Sequence, residues 1–174
     1  MRPIRNSVTA YSPARKFVHW AVLILCIAQF PTGWAIANSH LGHVGLTQSI
    51  WSIFVHRSHA LVGAAVVILV VAGVTLRLWQ GAVAPTKQVT RSWLRYAATA
   101  THLVIPVLLL SLAGTGFIAM YLSRTAAPIH DLLVYFGVAL IGLHVCGALW
   151  HQFVFRDGTL ARMLPRVNIR SLLG

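Results

Sequence analysis

Four apolar stretches, each long enough to cross a bilayer, constrain this chain more than any other feature. They lie near residues 17–37, 51–76, 96–122 and 131–155, and a membrane helix needs about 20 mainly apolar residues. Of the 174 residues, 57% are hydrophobic and 9% are charged, against about a quarter charged in a soluble domain. So few charges cannot cover a water-facing surface. The connections at 38–49, 81–90 and 123–128 carry the His, Gly, Asn and Pro residues of loops. The expected fold is all-α: an integral membrane four-helix bundle, a single domain over residues 1–174, multi-pass in the inner (plasma) membrane.

The formal charge of +12 does not point to nucleic acid, because the fourteen Lys and Arg residues are sorted by position. Twelve fall in three blocks: Arg2, Arg5, Arg15, Lys16; Arg77, Lys87, Arg91, Arg95; and Arg156, Arg162, Arg166, Arg170. Only Arg57 and Arg124 lie elsewhere. The blocks lack the aromatic interleaving or motif of a nucleic-acid site. Basic residues mark the cytoplasmic side, so both termini and the middle loop are expected there, as four spans require. Ala35-Ile36-Ala37 resembles a signal-peptidase site, a weak pattern; cleavage would remove His19 and leave three spans that no longer match the charges. Pro31 and Gly33 are tolerated in a membrane helix whose neighbours satisfy the backbone. Cys26 and Cys146 sit in apolar runs outside any CxxC or CxxCH motif, which excludes c-type haem attachment and suits small buried hydrophobes.

Nine histidines are many for so apolar a chain, and ionisable groups at membrane depth tend to mark function. His40 and His43 form an HxxH pair in the first outer loop, two ligands short of a zinc set; they read as solvated. On the fourth span His130, Gly137, His144 and His151 recur every seven residues, so they face one direction to within about 60°. His130 and His144 are separated by a rise of about 21 Å. Two ligands at two depths suit two stacked cofactors, not one metal ion. Each needs a second axial ligand at its own depth. The first span enters at the inner side and the second at the outer side, which pairs His19 with His144 and His59 with His130. The inner match is looser, and the fourth helix must tilt or overhang to make it. His56 is an alternative to His59. His102 serves a cofactor propionate or a polar packing contact. Gly33, Gly73 and Gly116 each follow a histidine (His19, His59, His102) by fourteen residues. They are read as gaps in the wall for a flat macrocycle, although membrane helices also use glycine for close packing.

The segments Phe17-Val18-His19-Trp20, Ser58-His59-Ala60-Leu61-Val62-Gly63, His102-Leu103-Val104-Ile105, Ile141-Gly142-Leu143-His144 and the tail from Asp157 to Pro165 resemble the bacterial cytochrome b561 family. That family consists of di-haem four-helix membrane proteins related to the b-type cytochrome subunits of nickel-iron hydrogenases. The resemblance implies two haem b groups with His19, His59, His130 and His144 as axial ligands. Some members resemble a superoxide oxidase that passes an electron from superoxide to ubiquinone, and in that light His151 is a quinone-site residue. The outer connection at 123–128 is shorter here than in such members.

The function expected is transmembrane electron transfer by a quinone-linked oxidoreductase, between a small donor such as superoxide and the quinone pool. An alternative is a membrane cytochrome subunit relaying electrons for a dehydrogenase or hydrogenase, with a redox partner protein. A third, from another class, is a non-redox transporter that uses the histidines. Tyr96, His102, Arg91 and Arg95 are candidates for an inner quinone pocket, although the positive-inside rule accounts for the arginines. Asp131 is either a partner of His130 or a helix N-terminal charge.

Overall fold

A computed structural model describes residues 11–38, 50–81, 83, 92–156 and 158–164, without the side chains at 92–95, 97 and 98. His40, His43, Arg91, Asp157 and the Arg95 side chain therefore lie outside the described residues. Four long helices carry the apolar runs: α1 (Pro13–Asn38), α2 (Ile50–Gln80), α3 (Ser92–Tyr121) and α4 (Ala127–Trp150). A 3-10 turn, Arg124–Ala126, joins α3 to α4, a π turn, His151–Phe155, prolongs α4, and a short α5 (Thr159–Met163) follows. All four spans are long and apolar enough to cross a bilayer.

The helices outrun the apolar stretches because their ends have local reasons to be helical. The α1 backbone starts on Ser12, whose hydroxyl accepts the Arg15 N–H at 3.3 Å, with Pro13 in the first helical position. The fourth span starts at Ala127 rather than Asp131, with Pro128 in its first turn. Asp131 therefore lies beyond that turn and is not an N-terminal charge. The α2 helix ends at Gly81, which takes a left-handed φ of 80° and closes on Arg77 O at 3.0 Å. Pro31 and Pro106 lie within α1 and α3.

The bundle packs as a chain of neighbours: α1 on α2, α2 on α3, and α3 on α4. Among the described residues, the backbones of α1 and α2 do not pack closely on α4. The core is small. Val66 and Val70 of α2 meet Leu109 of α3, with Val22, Leu25, Cys26, Ile105 and Leu112 around them. Large apolar side chains such as Trp34, Phe54, Leu61 and Trp79 are exposed, as lipid-facing groups should be. Cys26 and Cys146 are free thiols. On α4 the buried residue is Gly137, and a Cβ there would lie 3.5 Å from Leu112 Cδ1. That is an ordinary van der Waals distance, and it marks where α3 packs on α4, midway between His130 and His144.

The ends of the bundle differ. At the end where α1 and α3 begin, Ser12 Oγ donates to Gln80 Oε1 at 2.8 Å. There Trp20 Nε1 donates to Met163 O at 3.0 Å and Lys16 Nζ to Leu164 O at 2.9 Å. These bonds fold α5 back against the start of α1. The π turn makes that return feasible. Its Arg156 N–H reaches His151 O, and Arg156 then takes φ 49°, which reverses the chain after one widened turn.

Candidate histidine site

At the end opposite the basic residues, the His59 and His130 rings stand 6.4 Å apart, centre to centre. At the basic end, the His19 and His144 rings stand 6.2 Å apart. Both pairs cross the interface where α4 faces α1 and α2 without close backbone packing. The two separations are nearly equal, and past His144 the α4 helix continues into the π turn and α5, which bond back to α1. An iron-type metal between two imidazole nitrogens at about 2.0–2.1 Å each places the ring centres roughly 6.4 Å apart. The two separations suit a haem held between facing imidazoles. Among the described residues no group of three or more His, Cys, Asp or Glu side chains is placed to hold a bare metal ion.

The outer pair has its ring nitrogens assigned by neighbours. Thr32 Oγ1 donates its one hydrogen to Gln29 O at 3.0 Å. It lies 2.9 Å from His59 Nδ1, so that nitrogen carries the proton and donates. His130 Nδ1 lies 2.9 Å from Leu112 O, an acceptor only, and 3.3 Å from Thr115 Oγ1. It too must donate. Both rings are thereby fixed in the tautomer that leaves Nε2 with a bare lone pair, the form a metal-bound histidine takes. Gly33 and Gly116 seat these rings. A Cβ on Gly33 would come within 3.3 Å of His59 Cε1, and one on Gly116 within 3.0 Å of His130 Cε1. The fourteen-residue steps thus do bring Gly33 and Gly116 to the level of the outer pair, but what they face is imidazole. A Cβ on Gly73 would come within 3.2 Å of Val18 Cγ1.

The remaining histidines divide clearly. The His56 ring is turned onto its own helix, with Nδ1 2.8 Å from Ser52 O; the ring facing His130 is that of His59. His102 stands 5.6 Å from His144, edge-on, closer than the spacing above, so His144 has imidazole on two sides. His151 is half-buried in the π turn, its ring 5.2 Å from Phe155. Beside it Gln152 Oε1 is buried with no hydrogen-bond partner among the described residues, and Gln29 Oε1 is in the same state near His59. Asp131 and Tyr96 are exposed. Sequence reasoning passed over Gln29, Thr32 and Thr115. The available signal was their polarity inside apolar runs, which is costly unless used.

Four long apolar helices in an all-helical fold define the class, a multi-pass bundle of the inner membrane. The family model for prokaryotic cytochrome b561 matches residues 10–166, and the chain belongs to that family. That match includes α1, with Ala35 to Ala37 in its last turns. A curated relative, the probable superoxide oxidase CybB of Yersinia pestis, is 25% identical over 181 aligned positions, covering 90% of this chain and 96% of the relative. No solved structure matches the chain. Family membership implies haem cofactors and an electron-transport role, and it argues against the non-redox transporter.

Proposed function

We propose that the protein is a di-haem b-type cytochrome that carries electrons across the inner membrane between a small donor, superoxide being the leading candidate, and the quinone pool. The observation that carries this reading is the pair of facing imidazole couples, 6.2 and 6.4 Å across, at two depths of one bundle. In it, His19 and His144 hold one haem, and His59 and His130 the other. Haem bound there would supply one-electron chemistry. Thr32 and Leu112 O keep the outer imidazoles in their metal-binding tautomer. The fourteen residues from His130 to His144 set the two sites about 21 Å apart along α4. Both termini face the cytoplasm, so the His19 level is inner and the His59 level outer.

Quinone reacts at the inner end, beside the π turn. His151 and Gln152 supply polar contacts there, and Gln152 Oε1 is an acceptor for a quinol hydroxyl, since it is buried without a partner among the described residues. The likeness to a probable superoxide oxidase favours superoxide as donor. A second reading, a cytochrome subunit that receives electrons from a partner protein, is favoured by the tight Arg124–Ala126 turn, which leaves little chain for an outer substrate site of its own. One experiment separates them: purify the protein, count haem per chain, and follow quinone reduction driven by superoxide. Two haems with superoxide-dependent reduction support the first reading. Two haems without it, and a co-purifying subunit, favour the second.

A further inference from the structure

Two arginines at the basic end, Arg15 and Arg77, bond backbone carbonyls on neighbouring segments, and the sequence offers them almost no counter-charge. Arg15 lies one helical turn before His19, on the same face of α1. Its Nη1 donates to Gly81 O at 3.0 Å, across the end of α2. Arg77, one turn before Gly81, donates from Nη1 to His102 O at 3.4 Å. Both side chains are half-buried, and the Arg15 guanidinium lies over the Tyr11 ring at 5.1 Å. The residue whose carbonyl Arg77 bonds, His102, has its ring against His144.

The whole chain has two acids. Asp131 belongs to the opposite end. Asp157 lies outside the described residues, and one carboxylate cannot balance Arg15, Lys16, Arg77, Arg156 and Arg162. Half-buried like charges at a membrane edge are costly without an anion. Among the described residues each guanidinium spends one hydrogen bond, of the five N–H groups it has, on a backbone carbonyl. The planar fork that remains matches a carboxylate.

We propose that Arg15 and Arg77 form a clamp for the two propionate carboxylates of the haem held between His19 and His144, and so fix which edge of the macrocycle faces the cytoplasm. This rests on the di-haem reading above. A lipid phosphate would offer the same negative charge, and the lipid arms of the test separate the two sources.

The test uses the full chain made under haem-deficient conditions in a His59→Ala background, which leaves the inner site alone. It is titrated with haem b or with haem b dimethyl ester, whose carboxylates are masked. Binding is read from the absorption of the bis-imidazole complex. Masking should weaken binding about tenfold or more, since each charge-assisted contact is worth about that factor. Arg15→Gln and Arg77→Gln should each weaken ordinary haem to a similar degree and shrink the preference over the ester. Arg15→Lys and Arg77→Lys should recover part of it. Equal affinity for haem and ester with both arginines intact depends on no arginine variant, and it would overturn the clamp while leaving the di-haem reading intact. Uptake of no haem by the wild-type chain would overturn both. Repeating the titration in phosphatidylcholine and in phosphatidylglycerol discs isolates the lipid source. A loss in the Gln variants that appears only with phosphatidylglycerol assigns the arginines to headgroups and overturns the proposal; a loss in both lipids supports it.

Discussion

Each imidazole of the outer pair is held by a neighbour that sequence spacing does not reveal: Thr32 for His59, and Leu112 O with Thr115 for His130. Removing one ligand should disturb one haem and spare the other. His19→Ala and His144→Ala should therefore share one spectral defect, and His59→Ala and His130→Ala the other. His56→Ala and His102→Ala should keep both haems. Haem counts and low-temperature reduced spectra of the six variants check this; loss of the outer haem in His56→Ala with retention in His59→Ala would exchange those residues. The glycine contacts make a sharper prediction. A methyl group at Gly116 would press within 3.0 Å of His130 Cε1, whereas one at Gly114 would meet nothing within 4 Å. Gly116→Ala should push the imidazole aside and weaken the outer haem about tenfold, the lower range for disturbing a ligand's support, and Gly114→Ala should leave it unchanged. Equal haem retention in the two would mean that the His130 ring is free to shift.

Among the elements, the fourth helix does most to shape the site. Its seven-residue recurrence of His130, Gly137 and His144 was legible because a helix returns to the same face every two turns. Its end was not. The apolar run gave no hint that the helix would widen into a π turn at His151, since one extra residue per turn leaves no compositional mark. Nor did the tail's loop-like composition announce α5, five residues held by Trp20 and Lys16 of a helix some 140 positions earlier. This element carries the prediction for quinone. His151→Ala should keep both haems, because the ring lies against Phe155 and outside the facing pairs, and should slow quinone reduction several-fold. The check is haem content alongside steady-state rates across quinone concentrations. A missing haem in that variant would overturn the inner ligand assignment.

For the whole molecule, the twelve-to-two division of basic residues predicts orientation. A reporter enzyme fused after residue 174 should be active in the cytoplasm, and one fused at Asn38 in the periplasm. A periplasmic C-terminus would overturn the four-span arrangement proposed here, with the inner and outer assignment of the two sites. Number of spans, helical class and the candidate ligands were all readable from the amino-acid order, because apolar length and helical period are local properties that the bilayer enforces on any such segment. Which histidines meet was decided only by tertiary structure. His59 rather than His56 faces His130 because the choice depends on the rotation of α2 against α4, three residues and most of a turn apart. The proton positions on the outer rings, the seating of those rings against Gly33 and Gly116, and the reach of Arg15 to Gly81 and of Arg77 to His102 likewise depend on contacts between helices. Residues tens of positions apart acquire a common neighbourhood only when the helices pack, and no period within one helix records that.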